Sequence, residues 1–127
     1  MARYLLDTDV LISFSKQREP AYSWVLARTR SNDELGICDI IVTEFFAGLP
    51  PRDRPTWERF FRALSFWETS LEAAQQAGLY RYWYARQGQA IALSDALIAA
   101  ISVEVQTTIV TGNVRRFPMP DVTLLTL

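Results

Sequence analysis

Residues 3–14 read RYLLDTDVLISF, an apolar run that ends at an acidic turn and is followed by a second apolar run. The first run, residues 3–6, has the length and composition of a short buried strand. The second run places apolar residues at the spacing of a buried helix face: Val10, Leu11, Ile12 and Phe14. The segment therefore predicts a strand, an acidic turn at Asp7-Thr8-Asp9 and a helix.

The rest of the chain repeats this alternation of short apolar strands and helices. Further strands are predicted at residues 35–38, 66–67, 107–111 and 122–127. Further helices are predicted at residues 21–30, 56–64 and 70–87, from an Asp39 cap to Gly48, and from a Ser94 cap over residues 95–105. The buried face of helix 70–87 is predicted to comprise Leu71, Ala74, Ala77, Tyr80 and Tyr84. This order indicates an α/β fold with three layers, in which a central, mostly parallel sheet carries helices on both faces.

The composition restricts both the size of the protein and its chemistry. A chain of 127 residues predicts a single domain spanning residues 1–127. There is no histidine, and Cys38 is the only cysteine. Histidine-based catalytic triads, internal disulfides and the usual zinc sites are therefore excluded. Carboxylates and a bound hard cation are the remaining tools for an enzyme that acts near neutral pH.

The apolar and charged residues bear on location and partners. The apolar runs fall far short of the roughly 20 residues that a membrane span requires, and no apolar run of the length of a secretory signal precedes Asp7. We therefore expect a cytoplasmic protein that does not contact membranes. The formal net charge of −1 argues neither for nor against a nucleic acid partner.

Three acidic residues, Asp7, Glu44 and Asp95, are the main candidates for a site. Asp7 lies between a strand and a helix, where helix capping is an equally good explanation. Asp95 lies in the first turn of a predicted helix, where the helix dipole alone accounts for it. Glu44 lies in a helix that is predicted to be largely buried, and an unpaired carboxylate is costly there. A shared site or a bound cation would explain Glu44 better than a structural role does.

Several polar residues near these acids are candidates for accessory roles. Asp9 could help to hold a cation through water, and the Asn113 amide could accept a hydrogen bond from such a water. Arg115 and Arg116 could hold phosphate, although paired arginines are usually solvated. Thr8, Ser94 and Thr111 could orient ligands, and capping is the simpler explanation for them.

Four motifs in order carry a family resemblance that spans nearly the whole chain. They are LLDTDVLI at residues 5–12, TEF at 43–45, LSDALIAA at 93–100 and TGNVRRF at 111–117. Together they resemble the motifs of PIN-domain ribonucleases, and most of all the VapC-type toxins of bacterial toxin-antitoxin pairs. The resemblance implies a PIN-like fold and an endoribonuclease that hydrolyses RNA to leave a 5'-phosphate. It also implies a homodimer and a small cognate antitoxin.

The resemblance further implies a ligand set for one or two magnesium or manganese ions. Asp7, Glu44 and Asp95 would converge on the metal, and Asn113 would take the fourth position of the site. Many relatives carry Asp in place of Asn113, and many carry Asp or His in place of Arg116. This departure leaves the number of ions at one or two.

Two other classes of protein remain as alternatives. Asp7-Thr8-Asp9 after a strand also resembles the opening motif of haloacid-dehalogenase-like phosphatases, although these require a later lysine and Lys16 is the only lysine here. A non-catalytic PIN-like scaffold is the second alternative, and retention of the three acids argues against it. The aromatic residues Tyr82 and Trp83 cannot both share the helix face of Tyr80 and Tyr84, so part of this aromatic surface is expected to be exposed to a partner.

Overall fold

The computed structural model describes residues 1–127 and consists of five strands, six α-helices and two short 3-10 helices. The strands are Arg3–Leu6 (β1), Glu34–Cys38 (β2), Ser65–Trp67 (β3), Thr108–Thr111 (β4) and Thr123–Thr126 (β5). The α-helices are Thr8–Ser15 (α1), Ala21–Thr29 (α2), Asp39–Ala47 (α3), Arg54–Arg62 (α4), Leu71–Arg86 (α5) and Leu93–Glu104 (α6). The 3-10 helices are Pro51–Asp53 and Val114–Arg116. The predicted succession of strands and helices is confirmed.

All five strands pair in parallel, in the order β3-β2-β1-β4-β5. The chain builds outward from β1 on one side through β2 and β3, and then returns to the other side of β1 with β4. In a parallel sheet, ligands bind at the carboxyl ends of the strands where the order reverses in this way. Here that point lies between the carboxyl ends of β1 and β4.

The central strands form the core because their side chains are apolar on both faces, as expected for a sheet covered by helices. Leu5, Leu6, Ile109 and Val110 are fully buried. Helices contribute the facing side chains Val10, Leu11, Val25, Ile41, Ile98 and Ile101, all almost completely buried. The carboxyl ends of β1 and β4 are thereby held in a rigid frame.

Two predicted helix caps are wrong. Helix α6 begins at Leu93, one residue before Ser94, and the residue that precedes it is Ala92, which has no capping side chain. Asp39 is the first residue of α3 rather than the residue before it, and its carboxylate accepts hydrogen bonds from the backbone N–H and the hydroxyl of Thr69. Asp39 therefore ties α3 to the loop after β3.

The predicted buried face of α5 is only partly correct. Ala77 and Tyr80 are buried, but Ala73 takes the place predicted for Ala74, and Leu71 is 70% exposed. Tyr82 and Trp83 are exposed, as expected from their position on the helix. No helix is both long enough and apolar enough to cross a membrane, and the longest, α5, has 16 residues.

The thiol of Cys38 provides a test of the core. It is fully buried at the end of β2, and burial raises its pKa to about 12. Since the thiolate is the reactive form, we expect the native protein to react with an aromatic disulfide reagent at pH 8 at least about 100-fold more slowly than the unfolded chain. Labelling in buffer and in concentrated guanidinium chloride measures this ratio, and equally fast labelling would contradict the buried position.

Candidate active site

Asp7 lies at the carboxyl end of β1 and is fully buried. Its backbone N–H continues the sheet by donating to the carbonyl of Val110, and its Oδ1 caps α1 by accepting from the N–H of Thr8 at 2.9 Å. Its Oδ2 accepts from the hydroxyl of Thr111, the last residue of β4, at 2.8 Å. Asp7 is therefore both the predicted N-cap and a carboxylate held rigidly at the point where the strand order reverses.

Asp95, in the first turn of α6, faces Asp7 across a single guanidinium group. Nη1 of Arg116 donates to Oδ2 of Asp7 at 2.8 Å, while Nη2 and Nε both donate to Oδ1 of Asp95, at 2.6 Å and 2.9 Å. Arg116 closes the 3-10 helix that follows β4, and this turn brings its side chain back over the sheet edge. Arg116 was expected either to hold phosphate or to be solvated, and its contact with both acids is a finding of the structure.

The charges at this site depend on one another. Burial raises the pKa of Asp7 above its ordinary value, although the Arg116 charge and the Thr111 hydrogen bond act in the opposite direction. Burial alone would lower the pKa of Arg116, but the hydrogen bond to Asp95 and the charge of Asp7 outweigh it and raise that pKa. A carboxylate withdrawn from water in this way requires a cation beside it.

Glu44 is connected to Asp7 through Thr8. The hydroxyl of Thr8 donates to Oε1 of Glu44 at 2.8 Å, and its backbone N–H donates to Asp7. The expectation that Glu44 lies in a largely buried helix is wrong, because α3 buries only Ile41 and Phe45 and Glu44 is exposed. Glu44 also lines an open cleft of about 570 Å³ between α1 and α3, and none of the other candidate residues lines that cleft.

The remaining candidates, Asp9, Asn113 and Arg115, make few side-chain contacts with Asp7, Asp95 and Arg116. Oδ2 of Asp9 accepts from the N–H of Gly112 at 2.9 Å, while its Oδ1 is buried without a hydrogen-bond partner. The backbone N–H of Asn113 donates to the Thr111 hydroxyl, but the residue is otherwise exposed. Arg115 is exposed as well. These contacts do not assign a role to any of these three residues.

The chemistry of these side chains suits a hard divalent cation, since every candidate ligand is an oxygen donor. No three of the carboxylates lie close enough together to enclose one ion, and the space between Asp7 and Asp95 is taken by the Arg116 guanidinium. The donor set therefore fits an ion that takes one or two carboxylates and completes its shell with water, which is the usual binding mode of magnesium.

Comparisons with known sequences connect this geometry to a family. A family model for the PIN domain matches residues 4–119. The chain is 30% identical over 119 residues to ribonuclease VapC19 of Mycobacterium tuberculosis, an alignment that covers 92% of this chain and 94% of the relative.

Solved structures with the same fold cover nearly the whole chain. A chain of VapBC2 from Rickettsia felis, crystallised with a promoter DNA fragment, superposes with a TM-score of 0.84 at 21% identity and covers 98% of both chains. A chain of the DNA-bound VapBC complex from Salmonella typhimurium gives a TM-score of 0.81 at 23% identity, covering 99% of this chain and 98% of its own. At these identities the match supports the fold, and it agrees with the three-layer architecture predicted from the sequence.

Proposed function

Because this chain belongs to the PIN-domain family, we propose that it is a magnesium- or manganese-dependent endoribonuclease and the toxin of a type II toxin-antitoxin pair. One observation carries the proposal. The buried carboxylate of Asp7 lies where the strand order reverses, and it pairs with the same Arg116 guanidinium as Asp95 does. Thr8 connects this carboxylate to Glu44. Carboxylates gathered at such a point are suited to phosphodiester hydrolysis without histidine.

The position of each residue indicates its proposed role. Asp7 and Asp95 would hold the ion directly and Glu44 would hold it through water, while the hydroxyl of Thr111 and the N–H of Thr8 would fix the two oxygens of Asp7. The chemistry that a divalent ion would supply there, when bound, is neutralisation of charge on the scissile phosphodiester and activation of a water for attack on phosphorus. The attack would displace the 3'-oxygen and leave a 5'-phosphate.

The mouth of the site would contact the RNA. Asn113 and Arg115 are exposed directly after β4, where an amide can accept or donate a hydrogen bond and a guanidinium can pair with a phosphate. We include Asp9 among the accessory residues because its buried Oδ1 has no partner in the protein. Its side chain would orient water or contact the ion through water.

The proposed partners are RNA as substrate, a cognate antitoxin and a second copy of this chain. The solved relatives are VapBC complexes, which favours an antitoxin partner here. The phosphatase and scaffold alternatives gain no observation in their favour. A haloacid-dehalogenase-like phosphatase would require a lysine in its active site. Lys16, the only lysine of this chain, lies at the end of α1 and is exposed.

Expression in a bacterial host tests the class of enzyme and the substrate together. We expect the parent chain to arrest growth and to produce RNA ends at defined positions. The Asp95→Ala variant should produce neither, because it removes one of the two carboxylates that are proposed to hold the divalent ion. Sequencing of newly formed RNA ends after induction provides the readout.

A matched control comes from the same helix. Glu104→Ala removes an exposed carboxylate at the other end of α6, and this variant should cut RNA as the parent does. Identical RNA ends in cells that express the parent and Asp95→Ala would show that the cleavage does not come from this site.

A further inference from the structure

We propose that Arg116 is a resident cation of the acidic site, which a divalent ion has to displace before it can bind Asp7 and Asp95 together. The inference rests on the proposed metal-dependent function and adds a property of this chain's own residues. It assigns the guanidinium a competitive role rather than a role in binding phosphate.

The first support is geometric. Arg116 donates to Oδ2 of Asp7 and donates twice to Oδ1 of Asp95, so one planar group saturates the facing oxygens of both acids. A divalent ion bound between the two acids would compete with the guanidinium for these facing oxygens. An ion and the guanidinium cannot occupy this space together, because both require contact distances below 3 Å to the same atoms.

The second support is electrostatic. The side chain of Asp7 is fully buried, that of Asp95 is 12% exposed and that of Arg116 is 24% exposed. Charges in such a partly desolvated group interact more strongly than on an open surface. A divalent ion brought to Asp7 would therefore be repelled by Arg116 unless the guanidinium moved away.

The third support is that Arg116 is able to leave. It ends a three-residue 3-10 helix, and the two residues before it, Val114 and Arg115, are exposed. A long arginine side chain can swing toward solvent from such a position without disturbing the sheet. Asp7 and Asp95, in contrast, are fixed by β1 and by the first turn of α6.

Direct titration with Mn²⁺, followed by the electron paramagnetic resonance signal of the free ion, tests this without any measurement of activity. The proteins are the full chain, its Arg116→Gln variant and an Arg30→Gln control, which removes an exposed arginine after α2 at the opposite edge of the sheet. We expect Arg116→Gln to bind Mn²⁺ roughly tenfold more tightly or better, and Arg30→Gln to bind as the parent does.

A second variant, Arg116→Lys, tests whether the positive charge of residue 116, rather than the shape of its side chain, weakens Mn²⁺ binding. Arg116→Lys keeps a cation near the acids, so its Mn²⁺ affinity should stay close to that of the parent. Arg116→Gln leaves two acids without a counter-charge, so Mn²⁺ should raise its melting temperature more than that of the parent. If Arg116→Gln does not fold, Arg116→Met, which also removes the charge, takes its place, and we expect it to bind Mn²⁺ more tightly than the parent does.

The outcomes distinguish this inference from the function on which it rests. Equal Mn²⁺ affinity in the parent and in Arg116→Gln would overturn the competitive role and leave the metal-dependent nuclease standing. Binding by Arg116→Lys as tight as that expected for Arg116→Gln would overturn it as well. No binding by any of the proteins at millimolar Mn²⁺ would remove both the inference and the proposed metal dependence.

Discussion

Asp7→Asn should reduce the rate of RNA cleavage by at least about 10³-fold, which corresponds to about 4 kcal/mol of transition-state stabilisation. The amide keeps the size of the carboxylate and can still accept from the N–H of Thr8, but it removes the charge that the divalent ion requires. Cleavage of an end-labelled RNA by the purified variant, in the presence of Mg²⁺ or Mn²⁺, measures the loss.

The same variant should remain folded. Arg116 loses Asp7 but keeps its contacts with Asp95, so we expect the free energy of unfolding to change by less than about 2 kcal/mol. Urea unfolding followed by circular dichroism checks this. A loss of cleavage that merely accompanied unfolding would not support the assignment of Asp7.

Asp33→Asn is the matched control for Asp7→Asn. Asp33 precedes β2 at the amino edge of the sheet, where it accepts a hydrogen bond from the N–H of Ala2. The substitution and the charge change are identical, but the position is at the opposite edge from the site. The control should cut RNA at the parental rate, and an equal loss of activity in both variants would contradict a role specific to Asp7.

Gly36→Ala should give the largest loss of stability from a single added methyl group. Gly36 lies in β2 beneath the ring of Trp67, and a Cβ at this position would lie 2.0 Å from Cζ3 of that ring. The indole has to move away, which also disturbs its contact with the Arg3 guanidinium above it. We expect a cost of about 2–3 kcal/mol in the free energy of unfolding, measured by urea titration.

Gly78→Ala adds the same methyl group where there is room for it. Gly78 lies in α5, and no atom outside its own helix and chain neighbours comes within 4 Å of the added carbon. Alanine favours the helix over glycine, so this variant should gain about 0.5–1 kcal/mol. If both glycine variants unfolded at the parental urea concentration, the close packing of Trp67 on β2 would be wrong.

The fold was predictable from the sequence because the signals are local and repeated. The apolar runs at residues 3–6 and 107–111 are too short for helices, and the helical segments between the strands leave a parallel sheet as the consistent arrangement. The errors in the secondary structure occurred at helix ends, and the buried faces of α3 and α5 were also predicted only in part. Ser94 and Asp39 are good capping residues, but both lie inside the first turn here, because capping competes with tertiary contacts such as those of Asp39 with Thr69.

Only some features of the candidate site could be predicted from the sequence, and the physical reason differs between Asp7, Glu44 and Arg116. Asp7 follows directly from its place after β1. The exposure of Glu44 depends on which neighbours cover α3, and periodicity does not report that. The contacts of Arg116 depend on the 3-10 turn after β4, which carries the side chain back over the sheet. Neither periodicity nor residue type along the sequence reports that contact.

The dependence of RNA cleavage on divalent ion concentration tests the central claim most directly. The purified chain is stripped of metal with EDTA, exchanged into metal-free buffer and assayed on an end-labelled RNA against increasing Mg²⁺ or Mn²⁺, and the new ends are analysed chemically. We expect no cleavage without the ion, cleavage that rises with its concentration, and 5'-phosphate ends. Undiminished cleavage in EDTA, or ends that carry a 5'-hydroxyl, would contradict a site in which carboxylates act through a metal ion.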